Sequence, residues 1–143
     1  MKKPDGPCQD TKRVYDLAER TARFGESTVR FVRGIHQDSV ASPLIRQLVR
    51  SSTSIGANYA EASESGSQKE SRYRISVCNR ESRETQHWLR MIAAAVPEQK
   101  DKARKLWQEA RELNLIFSAI FRRTKDSNEA SSDFDVEACN EVK

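Results

Sequence analysis

Four stretches of the chain carry apolar or small side chains at alternating spacings of three and four residues, and no other feature constrains the fold as strongly. The first stripe consists of Val14, Leu17, Thr21, Phe24, Thr28, Phe31 and Ile35. An α-helix brings residues three and four apart onto one face, so each stretch predicts a helix with one buried edge. Because the 143 residues include only five Gly and four Pro, few turns interrupt these helices.

Local signals indicate where the helices begin. Asp10 or Thr11 can cap the first helix with a side-chain oxygen. The pair Ser42-Pro43 is typical of a helix start, because proline lacks only an amide that would have no partner there. The spacing Ser67-x-x-Glu70 is that of a capping box. The predicted helices span residues of about 10–36, 42–64, 67–96 and 99–124.

The connections between these helices are short, and short connections make successive long helices antiparallel neighbours. We therefore predict an all-α protein, an antiparallel up-down-up-down four-helix bundle, whose single domain covers residues 10–125. Residues 1–9 lack a periodic apolar pattern and predict a disordered leader. Residues 126–143 have too few apolar side chains to order themselves and predict an acidic disordered tail.

The middle of the second helix is unusually small and polar, with four consecutive Ser or Thr residues at positions 51–54. Gly56 follows them, and a glycine weakens a helix interior by about 1 kcal/mol relative to alanine. We expect the backbone of a neighbouring helix to approach closely at this position and to offset that cost.

Charge is distributed unevenly along the chain. Residues 126–143 hold six acids and one Lys, a balance of −5, whereas residues 1–125 hold 24 Lys and Arg against 15 Asp and Glu, a balance of +9. Acids at i±3 or i±4 neutralise many of the basic residues, so a solvated face is the default for most of them. The remaining excess favours a polyanionic partner, because phosphate binding through counterion release needs only such a surplus.

RNA or DNA is therefore the predicted partner, bound chiefly through its phosphates. No sheet rich in aromatic residues is predicted, so the sequence does not support readout of single-stranded bases. The candidate nucleic-acid-binding residues are Arg20, Arg23, Arg30, Arg72, Arg74, Arg104, Lys105, Arg122 and Arg123.

A second group of polar residues flanks or enters the apolar seams of the second and third helices. A buried carboxylate is costly unless a charge or several donors pair with it. We predict that Glu84 or Glu81 pairs with Arg83, Arg50 or Asn58; ordinary pairs on a solvated face are the alternative that the sequence leaves open. The whole predicted network is Arg50, Asn58, Glu61, Glu81, Arg83 and Glu84.

Catalytic and metal-binding patterns are not found. Glu84 and His87 have the Glu-x-x-His spacing of di-iron bundles, but His36 is the only other histidine, so too few ligands are present. Three cysteines without a CxxC pair predict neither a disulfide framework nor a zinc site, and Cys78 is expected in the core. With no phosphate-binding loop and no nucleophile motif, we expect a protein that is not an enzyme and needs no cofactor or metal.

No apolar run approaches the roughly 18 residues of a membrane span, and no secretory signal follows Met1. We expect a cytoplasmic protein without a membrane partner.

Two stretches carry a family resemblance: residues 54–62, Ser-Ile-Gly-Ala-Asn-Tyr-Ala-Glu-Ala, and residues 80–89, Arg-Glu-Ser-Arg-Glu-Thr-Gln-His-Trp-Leu. Together with residues 48–53, they make the chain resemble the small bacterial four-helix-bundle proteins encoded in intervening sequences of large-subunit ribosomal RNA genes. That family is similar in fold to the accessory protein of diversity-generating retroelements. The resemblance implies a homopentamer with a basic surface that binds nucleic acid.

The sequence also carries more apolar surface than a lone bundle needs, which predicts a homo-oligomer whose subunit number the sequence alone does not fix. An alternative function is a protein-interaction scaffold or an accessory subunit, for example to a reverse transcriptase, without nucleic-acid binding of its own. The surplus apolar residues are Tyr15, Val29, Val32, Leu44, Tyr73, Trp107, Leu115 and Ile116.

Overall fold

The computed structural model describes residues 16–140, and it describes side chains for residues 16–124. This part of the chain is helical, with no strand. A single 3-10 turn, Pro97–Gln99, separates the last two helices, as expected where a proline follows a helix end. The helices are α1 (Leu17–Arg33), α2 (Ala41–Glu64), α3 (Gln68–Ala95) and α4 (Lys100–Asn140).

The helices pack in chain order. The contacts of α3 with α2 and with α4 are the most extensive, those of α1 with α2 are fewer, and α1 touches α4 least. Since each connection is short, every helix runs antiparallel to the one before it. The predicted all-α, up-down-up-down four-helix bundle is confirmed.

The buried stripes form two core clusters, one toward each end of the bundle. Phe117, Ile55 and Leu113 lie in the cluster near the α2–α3 connection, and Leu48 and Leu89 lie in the other. The stripes agree with the predicted spacing. The predicted surplus apolar surface is smaller than expected, because Val32 is buried in the second cluster, and Leu44, Trp107 and Ile116 are half-buried and pack against the clusters. Tyr15 lies outside the described residues.

The observed start of α1 differs from the predicted one. The helix begins at Leu17 rather than near residue 10, with the side chain of Asp16 accepting a hydrogen bond from the amide of Glu19 at 3.2 Å. The predicted caps, Asp10 and Thr11, and the predicted leader, residues 1–9, lie outside the described residues.

The start of α2 is also different. The helix begins at Ala41, and its first turn is capped by Asp38, whose side chain accepts from the amides of Ala41 at 2.8 Å and Val40 at 2.9 Å. These two amide donors, Ala41 first, hold the pKa of Asp38 below its ordinary value. Ser42 therefore lies inside the first turn and is not the cap that the Ser-Pro signal predicts.

The start of α3 agrees with the prediction, whereas the end of α4 does not. Ser67 caps α3 as the spacing predicts, because its side chain accepts from the amide of Glu70 at 3.4 Å. The reciprocal bond of a full capping box is replaced, since the amide of Ser67 donates to the side chain of Ser65 at 3.2 Å. α4, however, continues to Asn140, past the predicted end at 124 and through most of the segment predicted as a disordered tail. Residues 98–143 contain no Gly or Pro, so no residue type that breaks helices interrupts it.

Gly56 confirms the expected close approach of helices. A Cβ at this position would lie 3.5 Å from both the backbone carbon and the Oγ1 of Thr21 on α1. Gly25 of α1 faces α2 in the same way, 3.7 Å from the Cα of Thr53 for an added Cβ. Two small residues thus let the α1 and α2 backbones approach each other closely.

We expect the substitution Gly56→Ala to raise the free energy of unfolding by about 0.5 to 1 kcal/mol, measured by urea denaturation. The added methyl would make ordinary van der Waals contacts with Thr21 and would need no shift of α1. Gly56→Val adds further methyl groups in the same space and is the control that should destabilise the bundle. A loss of stability in the Ala variant would mean that the helices tolerate no added atom here.

Candidate nucleic-acid interface

The basic residues of α1 are engaged with acids. Arg20 donates from Nε to Glu109 at 2.7 Å and from Nη2 to Glu112 at 2.6 Å, which ties α1 to α4. The hydrogen bond to Glu109, with the charges of both acids, raises the pKa of Arg20 against the opposing effect of burial. Arg20 therefore holds helices together, and its charge is neutralised within the chain.

Arg23 and Arg30 are neutralised by their own helix. Arg23 contacts Glu19 at 3.0 Å and Arg30 contacts Glu26 at 3.4 Å, both at i,i+4 spacing on an exposed face. These are the solvent-exposed i,i+4 ion pairs that the sequence predicts for most basic residues. The three predicted phosphate ligands on α1 thus all lie in ion pairs.

Arg74 and Arg72 differ although they are two residues apart. Arg74 donates to Asn58 of α2 at 3.1 Å and lies 3.8 Å from Glu70. The guanidinium of Arg72 instead lies over the ring of Phe121 on α4, 4.1 Å from the ring centroid, and it makes no ion pair in the described part of the chain. The cation–π contact fixes the position of Arg72 and leaves its charge unneutralised.

The predicted pairing of Glu81 and Glu84 with Arg50 is present. Arg50 contacts Glu81 at 3.2 Å and also donates to Glu84. The Glu81 side chain is only 7% exposed, so it depends on this partner. Although burial of Arg50 acts in the opposite direction, the hydrogen bond with Glu84 and the two negative charges raise the pKa of Arg50.

The other three members of the predicted network are located elsewhere. Asn58 donates to Ser54 of its own helix at 2.9 Å while it accepts from Arg74, and Glu61 is exposed. Arg83 donates to Asn79 at 3.3 Å and does not pair with Glu81. Within the predicted network, Arg50 alone joins the two acids of α3 to α2, and Asn58 is linked to α3 separately through Arg74.

Two asparagines fix how α3 and α4 align. Asn79 donates to the backbone oxygen of Asn114 at 3.2 Å, and Asn114 donates to the backbone oxygen of Asn79 at 2.9 Å. Asn114 also donates to Ser82 at 3.1 Å. Reciprocal hydrogen bonds of this kind are satisfied only when the two residues are level, so they set the antiparallel register of the pair.

That register brings basic residues of α3 and α4 together along one groove. Asn79 is level with Asn114, and the two helices are antiparallel. The residue four positions after Asn79 on α3 is therefore level with the residue four positions before Asn114 on α4, so Arg83 lies at about the level of Arg111. By the same count, Arg90 lies beside Arg104, and Arg72 beside its contact Phe121. We call the resulting set the basic stripe: Arg72, Arg83, Arg90, Lys100, Arg104, Arg111 and Arg122.

The basic stripe follows one face of α3 and one face of α4. At 100° per residue, its α3 members lie within about 20° of one another and its α4 members within about 40°, and the acids of both segments lie at other angles. None of its seven residues makes an ion pair in the part of the chain that the structure describes, and all except Arg72 are exposed. From Arg72 to Arg90 the stripe extends about 27 Å along α3.

The predicted and the observed basic surfaces overlap in part. Arg72, Arg104 and Arg122 are predicted ligands that lie in the stripe, whereas Lys105 and Arg123 lie on another face of α4 by their helical angle. Arg83, Arg90, Lys100 and Arg111 are not among the predicted ligands. The signal that could have found them is the absence of acids on their arcs of the two helices.

Other cations without an ion pair in residues 16–124 are spread over all four helices: Arg33, Arg46, Lys69, Arg80, Lys102 and Lys105.

The side chains considered for metal binding and nucleophilic chemistry have structural contacts. Glu84 is bound to Arg50, and the His87 ring meets Trp88 edge-on at 5.0 Å between centroids. Among the described residues, no three His, Cys, Asp or Glu side chains cluster as metal ligands would. Cys78 is fully buried as expected, and burial raises the pKa of its thiol to about 12, so it is a poor nucleophile.

Within residues 16–140, no helix combines the length and the apolar character that crossing a membrane requires.

Comparisons with known proteins agree with the fold. The family described as 23S rRNA-intervening sequence protein matches residues 13–126. A crystal structure of a protein with unknown function from the S23 ribosomal protein family of Bacteroides thetaiotaomicron is similar, with a TM-score of 0.64 and 22% identity. The match covers 73% of this chain and 96% of that one, and at this identity it shows the fold alone. No curated protein matches the chain.

Proposed function

The chain belongs to the family of 23S rRNA-intervening sequence proteins, and from this premise we propose that it is a non-enzymatic protein that binds RNA or DNA through the basic stripe. The observation that carries the proposal is the set of seven cations along the α3–α4 groove, none of them in an ion pair within the described residues. A protein surface neutralises phosphates in this way without reading their sequence.

The arrangement favours the phosphate backbone as the ligand. The stripe runs along both helices because its members share one face of each, and the Asn79–Asn114 hydrogen bonds hold the two helices in register. Six of its side chains reach into water, so they can contact a polyanion without moving any core residue. Condensed counterions leave a nucleic acid when cations replace them, and this release drives the association.

The salt dependence of binding tests the proposal. For duplex DNA, seven phosphate contacts predict that the logarithm of the binding constant falls with the logarithm of the salt concentration at a slope of about −6. A fluorescence anisotropy titration of a labelled duplex at several salt concentrations measures this slope. Absence of binding at about 50 mM salt would contradict the proposal and favour the scaffold, whereas binding insensitive to salt would contradict its electrostatic basis.

Self-association is the second part of the proposal. Among the described residues, Val40, Tyr73 and Leu115 are large apolar side chains that are more than half exposed. A groove of about 610 Å³ also opens on the outside of α1 and α2, lined mainly by small apolar residues such as Ala22 and Ala57. Exposed apolar surface of this kind is commonly covered by a second copy.

We expect light scattering during gel filtration to give a mass that is a multiple of the 16.3 kDa chain, with a pentamer as the form that the resemblance suggests. The measurement is made above and below the concentration used for nucleic-acid binding, so that assembly and binding can be separated. A mass of one chain at all concentrations would contradict self-association and would leave the basic stripe unaffected.

A further inference from the structure

A cavity of about 480 Å³ opens where the end of α3 meets the start of α4, at one end of the basic stripe. Its lining divides into two kinds of surface. One side is uncharged and apolar except for one glutamine, and the other consists of three cations with no acid among them. The lining residues are Leu89, Ala93, Ala103, Trp107 and Gln108 on the first side, and Arg90, Lys100 and Arg104 on the second.

The apolar side is rigid. Leu89 and Ala103 are each 1% exposed, and they belong to the buried faces of α3 and α4. Trp107 is partly buried and packs against the core cluster of this end of the bundle, while it also lines the cavity. Its indole is therefore held by the core and remains accessible from the cavity.

The three cations are exposed, and none of them makes an ion pair within the described residues. Lys100 and Arg104 are one turn apart on α4, and Arg90 faces them from α3. An anion beside the cavity would meet positive charge from both helices. A ligand that matches both sides needs a flat apolar part and an adjacent negative charge, and these two parts together describe a nucleotide.

We propose, on the basis of the nucleic-acid binding proposed above, that this cavity holds an unpaired nucleotide, with its base against Trp107 and its phosphate among Arg90, Lys100 and Arg104. Every base has a π-face, so stacking on a tryptophan tolerates any sequence. A base inside a duplex is stacked on its neighbours and cannot enter. The basic stripe then binds any nucleic acid, whereas the cavity adds affinity only for strands with an unpaired base.

The two tryptophans of the chain make the cavity measurable. The variant Trp88→Phe leaves Trp107 as the only tryptophan reporter, and Trp88 does not line the cavity. We expect a single-stranded oligonucleotide of 12 adenosines to quench the fluorescence of this variant, and a blunt duplex of the same length to bind without comparable quenching. Quenching of equal size by both would overturn the proposal.

A substitution at Trp107 tests the affinity. Trp107→Leu keeps an apolar side chain and removes the ring, and we expect about tenfold weaker binding of the single strand with at most about a twofold change for the duplex. Trp107→Phe keeps a ring and should retain most of the affinity, and it replaces the Leu variant if that variant does not fold. Equal losses for strand and duplex, or no loss for either, would overturn the proposal.

Other arms of the experiment identify what fails. The double variant Arg83→Gln with Arg111→Gln alters the basic stripe outside the cavity. If this variant binds a duplex more weakly while Trp107→Leu binds the single strand unchanged, the proposed function is retained and the nucleotide site in the cavity is rejected. No binding of any nucleic acid by the unaltered chain would reject the proposed function itself. Adenosine monophosphate tests whether the cavity binds a free nucleotide instead of a nucleotide within a strand. Quenching of Trp107 fluorescence by adenosine monophosphate, without quenching by the single strand, would overturn the assignment to a strand.

Discussion

Replacing Arg50 with alanine should lower the free energy of unfolding by about 2 to 3 kcal/mol, the largest effect of any charged residue on stability. The variant leaves the carboxylate of Glu81, 7% exposed, without its cationic partner in the α2–α3 interface. Removing one member of a fully buried pair costs more than this. Arg50 is 48% exposed, however, so water screens part of the interaction and the expected loss is smaller.

Urea denaturation of the Arg50→Ala variant beside Arg46→Ala measures this effect. Arg46 lies one turn earlier on the same helix, is exposed, and has no ion pair among residues 16–124, so its loss should change stability by less than about 0.5 kcal/mol. Adding Glu81→Gln to the Arg50 variant should restore part of the stability, because it removes the charge left without a partner. Equal stability of the two arginine variants would show that Glu81 does not depend on Arg50.

The largest effect on binding is expected from Arg83→Gln combined with Arg111→Gln. The two residues face each other near the middle of the basic stripe, and their removal should weaken binding of a DNA duplex about tenfold or more at low salt. The slope of the salt dependence should become shallower by about 2, because two fewer phosphates are neutralised by the protein. Anisotropy titrations at several salt concentrations measure both quantities.

The matched control is Arg23→Gln combined with Arg30→Gln. This variant removes the same number of charges from exposed helix positions, but its two arginines already pair with Glu19 and Glu26. We expect at most about a twofold change in affinity, because the charge of a paired arginine is compensated within its own helix. If the two double variants weaken binding equally, net charge alone governs binding and the stripe has no special role.

The sequence predicts the fold well because the information is local. A stripe of apolar residues at helical spacing gives the order and the buried face of each helix, and the Ser67 cap marks the start of α3 to the residue. The errors also have local causes. The Ser-Pro signal at residues 42–43 competes with Asp38, whose carboxylate reaches two amides of the same turn.

The basic surface is harder to predict, because it depends on which helices are neighbours and at what register. Arg20 forms its ion pairs with Glu109 and Glu112, which are about 90 residues away in the chain. Only the folded bundle shows that this arginine is neutralised. The i,i+4 acids of Arg23 and Arg30, in contrast, are visible in the sequence and could have removed both from the candidate ligands.

The register of α3 and α4 explains the remaining differences. The sequence places Arg83 in the polar network because it lies in a stretch expected to flank or enter the apolar seam of the third helix, but in the structure it is exposed and donates to Asn79. The reciprocal hydrogen bonds of Asn79 and Asn114 connect positions 35 residues apart, and no periodicity in the sequence specifies that pairing. Without it, Arg83 and Arg111 cannot be recognised as neighbours.

The most direct measurement is the location of a bound nucleic acid on the protein. Photochemical cross-linking of a bound strand, followed by mass spectrometry of the cross-linked peptides, gives this location without any substitution. Cross-links concentrated in residues 72–122, and nearly absent from residues 17–33, are the predicted result. Cross-links concentrated on α1, or spread evenly over all four helices, would contradict the account.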